Sequence, residues 1–252
     1  MRSAPLSNAR PKVIPELLLV AVLYAIYRLG RLLANGNVAE AFANATKVWR
    51  WERAAHLPDE ASVQALILHN DLLLKTTNVF YADVHFPAMI VFLLWMFYRH
   101  PGHYVWMRRT LTVLTGTALV LHLTFPLAPP RMIARFGLAD TGRLVGPSPY
   151  GKVETSGMAN QFAAMPSLHV GWALVIAIGL IAVARTRWRW LWLIHPALTL
   201  FAVVATANHY WLDAIVAAFL LTVALLVVPR PRHSEATSPP ETADEPQGSM
   251  TR

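Results

Sequence analysis

The sequence has 252 residues, of which 55% are apolar and 14% are charged. Soluble domains carry about 25% charged residues, so this composition argues against a soluble globule. The chain has no cysteine, which excludes disulfides, thiolate metal sites and cysteine nucleophiles. The net charge of +8 arises from basic residues scattered between apolar runs, and this pattern favours a multi-span membrane protein over a nucleic-acid-binding protein.

Six apolar runs have the length of about 20 residues that a helix needs to cross roughly 30 Å of hydrocarbon. They are Ile14–Leu33, Tyr81–Arg99, Thr110–Leu127, Ser167–Ala184, Trp190–Ala207 and Trp211–Val228. The first run lacks a small-residue cleavage site, which favours a membrane span over a signal peptide. We therefore predict an all-α fold in which residues 14–229 form a six-transmembrane helical bundle.

The remaining segments are too polar to cross a membrane. Within residues 34–80, Val38–His56 and Ser62–Leu74 carry apolar residues at helical spacing, which predicts interfacial or re-entrant helices. Residues 1–13 form a short N-terminal segment. Residues 230–252 are rich in Pro, Ser, Thr and Glu without apolar periodicity, which predicts a disordered tail.

The positions of Lys and Arg predict the orientation, because cytoplasmic loops are enriched in these residues. The segments before span 1, between spans 2 and 3, between spans 4 and 5 and after span 6 carry Arg2, Arg10, Lys12, Arg99, Arg108, Arg109, Arg185, Arg187, Arg189, Arg230 and Arg232. We expect this side and both termini to be cytoplasmic in a multi-pass protein of the cell membrane. Residues 34–80 and 128–166 and the turn at Asn208 then share the extracytoplasmic face.

Three groups of residues that could carry chemistry fall on that face. His209 and Asp213 are four residues apart at the start of span 6, so both side chains lie on one helical face. Ser167 is suited to begin the helix of span 4, where free backbone N–H groups favour an anion, and His169 follows it. Arg131 follows two prolines, which restrict the backbone and so limit the positions of its planar guanidinium group. Each group alone is also explained by helix capping or interface anchoring, but their shared face favours one site.

The segments Pro166–His169 and His209–Asp213 resemble the second signature and the end of the third signature of the type 2 phosphatidic acid phosphatase (PAP2) superfamily. The six-span arrangement also resembles the architecture of that superfamily. More narrowly, Ala128–Arg131, Ala164–His169 and Asn208–Tyr210 are similar to the inositolphosphotransferase branch, which includes fungal inositol phosphorylceramide synthase.

The chain departs from the superfamily pattern at several signature positions. Thr124 stands where the first signature has Lys, and Met132 stands where it has Pro. Ala202–Val203 replaces the Ser-Arg pair of the third signature, so that Arg131 is the signature arginine that carries over. Either phosphate binding is weaker or other cations complete the cradle, the candidates being Arg28, Arg31 and Arg135. Transferase-like members tolerate such losses, which favours transfer.

The resemblance implies a role for each site residue. His209 would be the nucleophile that attacks phosphorus, with Asp213 holding its ring. His169 would protonate the departing oxygen and then deprotonate the acceptor. Arg131 and Ser167 would stabilise the phosphoryl oxygens. The scheme requires no metal and no cofactor.

The implied function is that of an integral membrane phosphotransferase that moves a phosphorylated headgroup, such as inositol phosphate, from a phospholipid to a lipid or glycolipid hydroxyl. One alternative is a lipid phosphate or pyrophosphate phosphatase that uses the same site with water as acceptor. A second is a transporter or structural protein in which the His209–Asp213 pair relays protons, although a relay is expected nearer the middle of the bilayer. A third is a metallohydrolase that uses His169 with that pair.

Several other polar residues are interpreted as structural. Interfacial packing is the predicted role of Glu52, Asn78, Tyr81, His85 and Asn160. A satisfied position in the core is the predicted role of His122 and His195.

Overall fold

The computed structural model describes residues 11–33, 38–145 and 162–231. Over these ranges the chain forms helices joined by short connections, and the β contact present there is an isolated bridge between Leu127 and Ala163. The all-α prediction is therefore confirmed for the described part of the chain. Most of the predicted N-terminal segment and C-terminal tail lies outside it.

Each predicted apolar run overlaps one of the described α-helices. The α-helices are α1 (Val13–Leu33), α2 (Val38–Ala54), α3 (Glu60–Leu68), α4 (Asp71–Val79), α5 (His85–Arg99), α6 (Pro101–Thr124), α7 (Thr141–Val145), α8 (Leu168–Val183), α9 (Ile194–Ala205) and α10 (Trp211–Val227). A π-helix joins α4 to α5, and 3₁₀ turns lie between α6 and α7 and before α9; they span Phe80–Val84, Pro130–Met132, Ala134–Phe136 and Arg187–Leu193. Each of the six predicted spans thus contains one helix.

Two of the described helical segments are long and apolar enough to cross a membrane. They are Asp71–Arg99, with 29 residues, and Arg187–Ala205, with 19 residues. The apolar stretch Val13–Ile26 and helices α8 and α10 are shorter. Length and composition therefore support two spans, and the arrangement with six spans stays a prediction.

The predicted interfacial helix Ser62–Leu74 is wrong in its extent, because the chain breaks there into α3 and α4. Asn70 stands at the break, and its side chain accepts a hydrogen bond from the backbone N–H of Leu73 at 3.0 Å. An asparagine in this position satisfies an amide that a helix N-terminus leaves free and so favours a new helix start. Helix α4 then runs through the π-helix into α5, so the second apolar helix begins ten residues before the predicted Tyr81.

The two largest of four clusters of buried side chains join most of the helices. In the larger one α5, α6, α8 and α10 pack around residues that include Met96, Met107, Leu114 and Val175. In the other, α2 covers the chain segments that leave α6 and precede α8, with Ala41, Ala45, Val48, Leu127 and Tyr210 at its centre. Helix α8 contacts α5, α6, α9 and α10, which places its N-terminus in the middle of one end of the bundle.

The three predicted site groups all lie at that end of the bundle. Helix α6 ends there before Arg131, α8 begins there with His169, and the turn from α9 to α10 brings His209 to the same place. The opposite ends of these helices carry the α5–α6 turn after Arg99 and the 3₁₀ turn that starts at Arg187. The fold therefore separates the candidate site from the arginine-rich turns by the length of the helices.

Candidate active site

Backbone hydrogen bonds join the chain segments that carry the site. The N–H of Leu127 donates to the carbonyl of Phe162 at 2.8 Å, and the N–H of Ala164 donates back to Leu127 at 3.3 Å. One turn further on, the N–H of Ser167 donates to the carbonyl of Asp213 at 3.1 Å. The segment after α6, the start of α8 and the start of α10 are thus fixed to one another by main-chain contacts.

His209 lies at the centre of this junction, with its ring in a defined tautomer. Its Nδ1 is 2.9 Å from the carbonyl oxygen of Ala164 and 3.2 Å from Oδ2 of Asp213. A carbonyl oxygen can only accept, so Nδ1 carries the hydrogen that it donates. The lone pair of the neutral ring is therefore on Nε2, which is the form of histidine that can act as a nucleophile.

The surroundings of His209 favour its neutral form. Burial lowers the pKa of His209 to about 4, the Ala164 carbonyl opposes this shift, and the positive charge of Arg131 lowers the pKa further. Burial disfavours a charged ring, and so does a nearby cation. At neutral pH the ring therefore holds the lone pair that a nucleophile needs.

Asp213 fixes both the histidine and the helix that follows it. Its side chain is fully buried, and Oδ2 accepts a second hydrogen bond from the backbone N–H of Tyr210 at 2.9 Å. The phenol of Tyr210 in turn donates to the carbonyl of Ala128 at 3.1 Å. The carboxyl group therefore holds the first turn of α10 and the His209 ring in one arrangement.

His169 lies beside His209 in the first turn of α8. The centroids of the two rings are 5.7 Å apart, and His169 is only half-buried. Ser167 is the N-cap of α8, and its buried hydroxyl accepts a hydrogen bond from Val170 N at 3.4 Å. The structure thus brings the two histidines together and uses the predicted phosphate-binding serine as a helix cap.

Two residues that were interpreted as interfacial packing lie directly against His169. The ring centroids of Tyr81 and His85 are each 4.6 Å from that of His169, and His85 also stacks on Trp172 at 5.4 Å. The π-helix between α4 and α5 contains Tyr81, and such wide turns are frequent at functional sites. In the sequence, the spacing of four residues between Tyr81 and His85 indicated that the two side chains share a helical face, but not that this face meets His169.

Arg131 is buried next to this histidine pair. Its side chain is 4% exposed, with Nε 3.5 Å from Oδ2 of Asp140, and its backbone N–H donates to the carbonyl of Ala207 at 3.0 Å. Its positive charge lowers the pKa of His209 in addition to the larger effect of burial. The arginine is therefore placed where it can interact with an anion bound at the histidines, while Asp140 lies along one edge of its guanidinium.

The residues at the altered signature positions have ordinary structural roles. The hydroxyl of Thr124 is exposed and donates to the carbonyl of Val120 at 2.9 Å, while Ala202 and Val203 are core residues. Arg135 donates a hydrogen bond to Thr46 of α2 and is exposed. The side chains of the other two candidate cations, Arg28 and Arg31, lie outside the described residues.

The metallohydrolase alternative requires a cluster of ligands. Among the residues that the structure describes, His, Asp and Glu side chains do not form a group of three or more that could hold a metal ion. The site geometry reported above consists of a histidine pair, one carboxyl group and one arginine.

A sequence profile of the PAP2 superfamily matches residues 46–227. This range covers most of the chain and contains all three site segments. The chain belongs to the PAP2 superfamily. The resemblance seen in the signature motifs is thereby confirmed at the level of the superfamily.

One curated relative points to the narrower branch. The chain is 30% identical to the inositol phosphorylceramide synthase catalytic subunit aur1 of Schizosaccharomyces pombe, over 43% of this chain and 31% of the relative. The match thus spans less than a third of the length of that protein. No solved structure shows a significant match to the chain.

Proposed function

We propose that this PAP2 superfamily member is an integral membrane phosphotransferase that acts on lipid phosphates through a phospho-histidine at His209. The observation that carries the proposal is the hydrogen bonding of Nδ1, which leaves Nε2 with the lone pair. His169, with its ring centroid 5.7 Å away, supplies a second imidazole for proton transfer. These are the two groups that a double-displacement transfer requires.

In the first step Nε2 of His209 attacks phosphorus and the bond from phosphorus to the lipid oxygen breaks. His169, in its protonated form, gives that oxygen a proton, so that the lipid leaves as an alcohol. Asp213 stabilises the positive ring that forms, and Arg131 stabilises the phosphoryl oxygens. In the second step His169 takes the proton of the acceptor hydroxyl, the acceptor oxygen attacks phosphorus, and His209 leaves as a neutral ring.

The substrate that we propose is phosphatidylinositol, with inositol phosphate as the transferred group and a lipid or glycolipid hydroxyl as the acceptor. The name of the relative, an inositol phosphorylceramide synthase, supports this headgroup. The same two steps with water as acceptor would make the protein a phosphatase, as the superfamily name suggests. Only the molecule that reaches the phospho-histidine distinguishes the two activities.

We further propose that the chain crosses the membrane six times, with the site on the extracytoplasmic face and both termini in the cytoplasm. The two long apolar segments and the three shorter apolar helices correspond to five of these spans, and the 24-residue helix α6 corresponds to the sixth. So does the fold, because the Arg99 and Arg187 turns lie at the end of the bundle opposite His209. Arginine-rich turns are typical of the cytoplasmic side.

The activity is tested with purified protein, phosphatidylinositol labelled in the inositol ring and a membrane lipid extract. A new labelled lipid is the expected product. Labelled free inositol phosphate as the main product would instead show transfer to water. A parallel reaction with labelled phosphatidic acid, which can release inorganic phosphate, tests the phosphatase on its own substrate.

The covalent intermediate is tested by rapid acid-free quenching of the same reaction with substrate labelled at phosphorus. We expect the label on His209, no label in His209→Ala, and normal labelling in His69→Ala. His69 is a matched control because it is an exposed histidine at the end of α3 that bonds only locally to Ala65. Label on another residue, or turnover by His209→Ala, would exclude the proposed nucleophile.

A further inference from the structure

Glu52 is a fully buried carboxyl residue on α2, on the same buried face as the core residues Ala45 and Val48. Its Oε1 accepts a hydrogen bond from the backbone N–H of Leu212 at 2.8 Å. Leu212 lies in the first turn of α10, where N–H groups have no partner within their own helix. Glu52 therefore caps α10 from a different helix.

The contact between Glu52 and Leu212 is adjacent in the chain to the proposed catalytic pair, His209 and Asp213. Leu212 is the residue before Asp213, whose Oδ2 contacts both Nδ1 of His209 and the N–H of Tyr210. The cap on Leu212 and the side chain of Asp213 thus hold the same turn from two directions. A displacement of about 1 Å in such a turn can change a catalytic rate by ~100-fold.

The charged and titratable groups around Glu52 belong to α2, α3 and the start of α10. Glu60 of α3 is also fully buried and faces it, and Asp213 and Tyr210 face it from α10. The nearby cation, Arg53, is bound by other acids, with 2.7 Å from Nη2 to Oε2 of Glu60 and 2.8 Å from Nη1 to Oδ1 of Asp59. Glu52 is thus a second buried carboxyl group beside Glu60, whose cation Arg53 is already shared with the partly exposed Asp59.

This environment keeps Glu52 protonated at neutral pH. Burial, a hydrogen bond with Glu60 and the charges of Glu60 and Asp213 raise the pKa of Glu52 to about 9, although the N–H of Leu212 opposes the shift. Burial and like charges both disfavour an ionised carboxylate. A neutral carboxyl group still has an oxygen that accepts the hydrogen bond from α10.

We propose that Glu52 is a positioning residue for the reaction, whose carboxyl group holds the first turn of α10 through Leu212 and so keeps the His209–Asp213 pair aligned. The inference rests on the proposed roles of that pair. Glu52 touches neither the substrate nor the reacting atoms. Its effect should therefore appear in the rate of the chemical step and not in substrate binding.

Two substitutions distinguish a hydrogen-bond acceptor for Leu212 from an ionised carboxylate at position 52. Glu52→Gln has the same shape and keeps an acceptor for the Leu212 N–H, so we expect kcat for phosphatidylinositol in mixed micelles within ~3-fold of the parent enzyme. Glu52→Leu has similar volume but no acceptor, so we expect kcat to fall at least ~10-fold with KM within ~2-fold. Glu40→Gln, at the exposed start of the same helix, is the matched control and should leave both constants unchanged.

A general loss of folding is separated from misalignment by a double-variant comparison. If Glu52 acts through Asp213, Glu52→Leu should cost much less in an Asp213→Asn background than in the parent, because the alignment it protects no longer matters. Glu52→Asp, which keeps the acid but shortens its reach, should lose kcat like Glu52→Leu. These comparisons remain informative where one variant is poorly stable, because each is read as a ratio at equal folded protein.

The outcomes overturn the inference in distinct ways. Equal losses of kcat in Glu52→Gln and Glu52→Leu would show that an ionised carboxylate is needed, and a normal kcat in Glu52→Leu would show that the cap is dispensable. Fully multiplicative effects of Glu52→Leu and Asp213→Asn would also contradict it. If His209→Ala keeps its activity, the proposed function itself fails, whereas an inactive His209→Ala with a normal Glu52→Leu refutes only the role of Glu52.

Discussion

The hydrogen on Nδ1 of His209 is shared between two acceptors, and the backbone carbonyl of Ala164 is the closer one. In the sequence analysis Asp213 alone holds the ring, because a carboxylate four residues away is visible in a sequence and a carbonyl 45 residues away is not. With the carbonyl present, the carboxyl group contributes mainly by stabilising the positive ring in the transition state.

Asp213→Asn should therefore slow the enzyme without changing the tautomer of His209. We expect kcat to fall about 100-fold, less than the ~10⁴-fold loss in serine proteases, where the equivalent change leaves the wrong tautomer. The phospho-histidine should still form slowly, which single-turnover labelling measures. Asp71→Asn, at the exposed start of α4, is the control. A loss as complete as that of His209→Ala would mean that Ala164 does not hold the ring.

The lowered pKa of His209 predicts an unusual acid limit of activity. A protonated ring cannot attack phosphorus, and with a pKa of about 4 the ring stays neutral well below pH 6. The effect is isolated in the His169→Ala variant acting on a nitrophenyl phosphodiester, because neither the substrate nor residue 169 then titrates in this range. Its kcat/KM at pH 5.5 should stay within ~3-fold of its value at pH 7, whereas an ordinary histidine with a pKa of about 6.5 in place of His209 would cost about 10-fold.

The lowered pKa of His209 also makes folding stability depend on pH, so stability must be measured as a control. The pKa in the unfolded chain is higher than in the folded one, so the unfolded state binds more protons and folding stability declines as the pH falls from about 6.5 toward 4. Thermal unfolding measured at each pH must therefore accompany the rates. A tenfold loss of kcat/KM at pH 5.5 in protein that is still folded would contradict the environment described for His209.

His169→Ala should differ in kind from His209→Ala. If His169 protonates the departing oxygen, a substrate with a good leaving group needs little of this help, so a nitrophenyl phosphate ester should restore part of the activity. His209→Ala should stay inactive on both substrates. Loss of activity that is equal for the natural and the nitrophenyl substrate would assign His169 to another role, such as binding phosphate.

At the scale of the elements, the turn between α9 and α10 aims His209 at the site. Ala207 has a φ of 53°, which is uncommon for a residue other than glycine, and it is fully buried. Its carbonyl accepts from Arg131, and the carbonyl of Val203 accepts from both Asn208 and His209. Tertiary contacts therefore hold a strained residue two positions before the proposed nucleophile, a situation common at functional sites.

Substitutions at Ala207 test this turn. Ala207→Gly removes the strain and should change unfolding free energy by less than ~1 kcal/mol, because the gain is offset by the greater freedom of glycine in the unfolded chain. Ala207→Val places a branched side chain in the same conformation and should cost ~2 kcal/mol or more and lower kcat. Denaturant unfolding and kcat are measured on both. Equal stability of the two variants would show that the turn relaxes easily.

Sequence reasoning located the apolar helices and the three site motifs because both depend on local patterns. Hydrophobic periodicity and capping residues act within a few positions, and so each predicted span contains a helix. Glu52 and His85 were interpreted as packing because their importance depends on partners far along the chain, Leu212 and His169. Contacts of that kind are created by the tertiary fold and have no signature in the local sequence.

At the scale of the whole molecule, the number of spans was harder to predict than the number of helices. Apolar helices of 16 or 17 residues such as α8 and α10 are shorter than the roughly 20 residues that cross a bilayer. Longer helices such as α6 carry the charged residues Arg108 and Arg109. A membrane accommodates short or charged helices through the residues that flank them, such as arginine side chains that extend to the interface. The composition of the helix itself does not describe these flanking residues.

The proposed topology predicts opposite labelling of two exposed positions. The chain has no cysteine, so Ala134→Cys beside the site and Thr186→Cys in the arginine-rich turn each provide a single thiol. In intact cells a membrane-impermeant maleimide should label Ala134→Cys only, and Thr186→Cys should react after permeabilisation. Both positions are exposed, so the difference reports the membrane barrier and not burial. Labelling of both thiols in intact cells would place the 3₁₀ turn after α6 and the turn after α8 on one side of the membrane and remove the basis for a site that faces away from the cytoplasm.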